Sequence, residues 1–110
     1  HILVIAPDDI DRARTVAALE RGGLPVVVAD TLPEHEPASA SRRACTIIDG
    51  ALLPDLRHVA IAMCIRFHPV VLIDDLRRDW LHDWVSAVVG GGEATADIVR
   101  AVRSVSPRAA

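Results

Sequence analysis

Four short apolar runs, Ile2 to Ala6, Pro25 to Ala29, Cys45 to Ile48 and Pro69 to Ile73, punctuate the first three quarters of the chain. Each has the length and β-branched content of a strand. They are apolar on successive residues rather than on alternate ones, which is the pattern of strands buried on both faces in a parallel sheet covered by helices. A fifth run, Trp84 to Val89, has the same character. Between the first two runs, Asp9 to Arg21 carries Ile10, Ala13, Val16, Ala17 and Leu19 on a helical stripe that Gly22-Gly23 ends. Thr31 to Ala44 contains Pro33, Pro37 and small polar residues, so any helix there is expected to be short or irregular. In Asp55 to Phe67 the positions Leu56, Val59, Ala60, Met63 and Phe67 recur at helical spacing. That stretch is apolar enough to suit a buried strand as well, but its length favours a helix. Ile98, Ala101, Val102 and Val105 form one face of a last helix, with Thr95 as its cap and Asp97 near its positive end.

Strands alternating with helices imply an α/β doubly wound parallel sheet. Ligands in such folds bind beyond the carboxyl ends of the strands. Those ends are Ala6-Pro7-Asp8-Asp9, Asp30-Thr31, Asp49-Gly50, Asp74-Asp75 and the Gly90 to Gly92 loop. Function is therefore sought at these positions.

Composition narrows the reading. The 110 residues suffice for one core and not for two domains, and 51% hydrophobic residues exclude a disordered segment. No run approaches the ~20 residues of a membrane span, and no charged-then-apolar leader precedes the first run, so a cytoplasmic protein without membrane contact is expected. The net charge is −3, and basic residues cluster only as the pairs Arg42-Arg43 and Arg77-Arg78, which argues against a nucleic-acid groove. Cys45 and Cys64 have no second ligand pair nearby and read as buried reduced thiols. His58, His68 and His82 read as surface residues, Ser86 lacks a nucleophile-elbow context, and the glycine run lacks nucleotide-binding spacing. All twelve basic residues are arginine; the chain contains no lysine.

The strings ILVIAPDDIDRAR, CTIIDGALLPDL, RFHPVVLIDD and VSAVVGGG, in this order, resemble the receiver domain of two-component response regulators. The resemblance covers nearly the whole chain. It implies a flavodoxin-like (CheY-like) sheet of five parallel strands in the order 2-1-3-4-5, with shortened or irregular second and fourth helices. It also implies a receiver-like domain over residues 1–106, with 107–110 beginning a linker or tail.

A working receiver has two acids after the first strand for Mg²⁺, a phosphoaccepting aspartate ending the third, a Ser or Thr after the fourth and a Lys after the fifth. Carried over, the phosphoacceptor falls on Asp49, the acidic pair on Ala6 and Pro7 with Asp8 and Asp9 shifted outward, the hydroxyl on Asp74 and the Lys-Pro pair on Gly90-Gly91. Pro54 lies one residue later than the pattern. A phosphoaspartate adds about two negative charges, which Asp74 would repel. Arg12, Arg77 and Arg78 could offset that charge, but none stands at the family's lysine position.

The expected protein is accordingly an atypical receiver, not an enzyme: a phosphorylation-independent regulatory and dimerisation module at the N-terminal part of a transcription regulator. It would reach DNA only through an output domain beyond this chain, and would meet a signalling partner protein or a small ligand. Asp8, Asp9, Asp49, Asp74 and Asp75 form an acidic pocket that implies weak Mg²⁺ binding at best, or simply ion pairs with arginine. The alternatives are a small-ligand-binding or enzymatic domain on the same scaffold, and a conventional receiver phosphorylated on Asp49. In the expected homodimer, Trp80 is the candidate interface anchor among charged neighbours, with inward packing as its alternative. Trp84 is assigned to the core.

Overall fold

The computed structural model describes residues 1–32, 44–90 and 95–105. The described residues form β1 (Ile2–Ile5), α1 (Ile10–Arg21), β2 (Val26–Ala29), β3 (Cys45–Asp49), a 3-10 turn (Gly50–Leu52), α2 (Arg57–Arg66), β4 (Val70–Ile73), a 3-10 helix (Asp79–Trp84), β5 (Ala87–Val89) and α3 (Thr95–Val105). The strands make one sheet in the order β2-β1-β3-β4-β5, with every adjacent pair parallel. The segment expected to carry a second helix falls almost wholly outside the described residues, as do Gly91, Gly92 and residues 106–110.

Consecutive apolar residues send alternate side chains to opposite faces of the sheet. Ile2 and Val4 enter one core with Ile47, Val71, Leu19 of α1 and Ile98 and Val102 of α3. Leu3 and Ile5 enter a second core with Ile48, Leu72, Ala60 and Cys64 of α2, Phe67 and Leu81. The central runs are therefore buried on both sides, as their pattern implies. The second run departs from that pattern, since β2 lies at the sheet edge with Val27 and Val28 45% and 41% exposed.

Asp9 begins α1 by accepting the Arg12 backbone N–H at 2.9 Å. The helix ends in a Schellman motif, in which Gly23 adopts φ +80° while the Gly23 and Leu24 amides donate to Glu20 and Leu19 carbonyls. The helix phase differs from expectation. Ile10 is 65% exposed and the inward face runs through Thr15 and Leu19, because Arg12, on the same face, turns back onto the end of β1.

The fifth strand is shorter than the apolar run suggests. Residues 79–84 wind into a 3-10 helix, and only Ala87–Val89 pair with β4. This 3-10 helix stands where the shortened fourth helix is expected. Leu81 fills the interior beneath it, fully buried, with Trp80 packed alongside. Trp84 is left at the rim and is 45% exposed, so its assignment to the core is overturned.

Candidate functional site

Asp49 closes β3 opposite Ile73 of β4, half-buried, at the carboxyl edge of the sheet. One carboxylate oxygen, Oδ1, accepts the Ala51 N–H at 3.0 Å and so caps the 3-10 turn that follows. The next residues, Gly50-Ala51-Leu52-Leu53-Pro54, have no polar side chain with which to satisfy the carbonyls of their own turn.

Those carbonyls are met by Arg78. Its guanidinium lies buried beneath the turn, with Nη1 donating to Leu53 O at 3.2 Å and Pro54 O at 3.3 Å and Nη2 donating to Gly50 O. The planar fork of arginine suits several acceptors at once, and it keeps its charge at any physiological pH. Asp55 Oδ1 stands 3.7 Å away at the surface end of the same group. Gly50 permits this approach, because a Cβ there would lie 3.2 Å from Arg78 Nη2 and 2.8 Å from Ile73 O. Arg78 reaches inward through a tight loop in which Arg77 takes a left-handed conformation, φ 52°.

Asp74, one residue past β4, is nearly sealed from solvent. Its backbone N–H donates to Val89 O of β5 at 2.9 Å. Oδ1 accepts the Arg78 backbone N–H at 3.2 Å and Oδ2 lies 2.8 Å from His82 Nε2. Burial alone would push this carboxyl upward. The His82 hydrogen bond, the Arg78 N–H and the nearby charges of His82 and Arg78 outweigh burial and hold it below the usual aspartate range. Arg78 also acts on Cys64. Burial raises that thiol to about 11, with the guanidinium charge pulling against the rise.

The aspartates expected to share one pocket are thus divided. Asp8 is exposed and forms an ion pair with Arg12 Nη2 at 2.6 Å, while Arg12 Nη1 donates to Ala6 O at 3.2 Å. Asp9 is spent on the α1 cap, and Asp75 is exposed. Asp74 groups instead with Asp79 and His82, whose ligand atoms all lie within 4.8 Å of one another. Such a set of two carboxylates and an imidazole suits a transition metal more than Mg²⁺, but Asp74 and His82 already satisfy each other. At the end of β1, Ala6 and Pro7 offer no carboxylate, and the exposed Asp8 is paired with Arg12. These residues do not fit a receiver-type Mg²⁺ centre, which needs several oxygens at once.

His82 and Arg78 make contacts at this site that the sequence reading does not anticipate. The sequence offers Arg78 as a charge that could offset a phosphoaspartate, whereas in the structure it donates to backbone carbonyls. The apolar turn after Asp49 was the available sign that a donor must come from elsewhere.

No family model matches the chain, and no curated protein matches it. Among solved structures it is similar to the receiver domain of a sensor histidine kinase from Pseudomonas aeruginosa PAO1, solved with a magnesium ion coordinated in its active-site cleft. The two are 15% identical, with a TM-score of 0.70 over 96% of each chain. The chain therefore has the receiver-type, CheY-like fold. Among the described residues no helix is long and apolar enough to cross a membrane.

Proposed function

We propose that this chain is a receiver-fold regulatory module that acts without phosphotransfer. The carrying observation is Asp74, which the resemblance aligns with the receiver hydroxyl and which is a buried carboxylate held ionised by His82 and Arg78. A phosphoryl group on Asp49 would bring about two more negative charges to the adjoining strand end, and the chain has no lysine to neutralise them. Mg²⁺ binding is weak at best, and the module is not an enzyme. It signals by protein contact as a homodimer in the cytoplasm, within a transcription regulator whose DNA contacts lie in an output domain.

The test treats the protein with a small phosphodonor, or with beryllium fluoride and Mg²⁺, and reads mass and NMR shifts. No Asp49-dependent change is expected. A stoichiometric adduct that disappears in Asp49→Asn would overturn the proposal in favour of a conventional receiver.

A further inference from the structure

A chain of hydrogen bonds crosses the carboxyl edge of the sheet from the turn after Asp49 to the 3-10 helix. Asp49 Oδ1 holds Ala51 N, and Gly50 O receives both Leu53 N and Arg78 Nη2. Arg78 then continues through its own backbone. Its N–H binds Asp74 and its carbonyl accepts the Leu81 N–H at 2.9 Å. Asp74 binds His82 of the same 3-10 helix and Val89 of β5. Arg57, at the start of α2, places its guanidinium 5.2 Å from the Trp80 ring centroid on the far side.

We propose that Arg78 is an internal latch, coupling the Gly50–Pro54 turn to the 3-10 helix Asp79–Trp84, so that a partner displacing the turn releases that helix. The inference rests on the phosphorylation-independent reading, because it assigns to a resident cation the linkage that an added phosphoryl group would otherwise have to make.

Three features carry it. First, the guanidinium satisfies three carbonyls of one segment while the same residue's N–H and carbonyl anchor the other, so neither segment can shift without breaking bonds in its neighbour. Second, a Cβ at residue 50 would lie 3.2 Å from Arg78 Nη2 and 2.8 Å from Ile73 O at the end of β4, so the turn is packed tightly against the guanidinium and the strand end that precedes its loop. Third, Arg78 is buried with its Nε unpartnered among the described residues and its one ion-pair partner at the turn, Asp55, is exposed to solvent, so its position is set chiefly by these carbonyl contacts. Coupling between two sites is reciprocal. A perturbation of either segment must therefore be read in the other.

The experiment perturbs each side and observes the opposite one by amide hydrogen exchange, with Trp80 emission recorded in a Trp84→Phe background. Arg78→Lys keeps the charge and loses the fork; protection of the Ala51 and Leu53 amides is expected to fall about tenfold or more. Gly50→Ala is expected to lower Leu81 protection and shift Trp80 emission to the red, although residue 50 belongs to neither. Should Gly50→Ala fail to fold, Asp49→Ala loosens the same turn by removing its cap, and the same Leu81 and Trp80 changes are expected. If the turn variants raise exchange only at residues 51–53 while Leu81 and Trp80 are unchanged, or if Arg78→Lys leaves Ala51 and Leu53 protected, the latch is refuted. Phosphodonor labelling uses neither readout, so failure of the latch and failure of the phosphorylation-independent reading are separable.

Discussion

Two adjacent arginines have opposite roles. Arg78 is buried on three carbonyl oxygens, whereas Arg77 is exposed and held in a left-handed conformation that favours glycine. Arg78→Met leaves the Leu53 and Pro54 carbonyls without the guanidinium and Gly50 O with only the Leu53 N–H, and should cost about 3 kcal/mol in chemical denaturation. Arg77→Gly relieves backbone strain of about 1 kcal/mol against a similar loss of chain entropy, and should leave the midpoint nearly unchanged. Equal effects of the two substitutions would contradict the placement of Arg78. Asp74 supplies a pH signature. Its folded carboxyl titrates below the unfolded one, so its contribution to stability is complete above the unfolded aspartate pKa of about 3.9 and is lost as pH falls through the lower folded value. In Asp74→Asn the acid limb of the stability curve should flatten, which equilibrium unfolding across that range would detect.

The terminus of α1 isolates a backbone effect. Gly23 stands at φ +80° with open space where a Cβ would point, so Gly23→Ala should cost about 1–2 kcal/mol through left-handed strain alone. A neutral result in thermal unfolding would show that the Schellman turn reshapes at no cost. The 3-10 helix Asp79–Trp84 offers a second contrast, because its two tryptophans lie in different environments. Trp80 packs on the core beneath Arg57, while Trp84 stands exposed near Ile65, His68, Asp83 and Val85 around a shallow groove. Trp80→Ala should therefore lower stability by about 2–3 kcal/mol. Trp84→Ala should stay within about 0.5 kcal/mol. Should Trp80→Ala instead abolish the proposed homodimer in sedimentation with stability intact, Trp80 is the interface anchor that the sequence suggests.

Taken whole, the molecule is a sheet with a core on either face, and its candidate site lies where the strand ends meet loops from different parts of the chain. The receiver-type frame places Asp49 and Asp74 at neighbouring strand ends, one residue apart in register. Arg78 then joins the turn after the first to the loop after the second across 28 residues of sequence. The sheet strands and helices supply most of both cores, and the strand-end segments add Leu53 and Leu81 to one of them.

Much of this architecture was legible in the chain itself. Runs of consecutive β-branched residues pointed to strands buried on both faces, which the central strands are and the edge strand β2 is not; with the resemblance in the order of the strings, they gave a parallel sheet with helical layers in the order 2-1-3-4-5. The lack of lysine and the aspartate at position 74 likewise needed no coordinates. Helix phase, the length of the fifth strand and the environments of Trp80 and Trp84 were decided by packing, because Leu81 and Arg12 each turn a segment about an axis that local pattern leaves free. The role of Arg78 was decided by tertiary structure alone. Its acceptors are main-chain carbonyls, which every residue carries, so the apolar turn shows that a donor must come from elsewhere but no side-chain pattern names which distant residue supplies it.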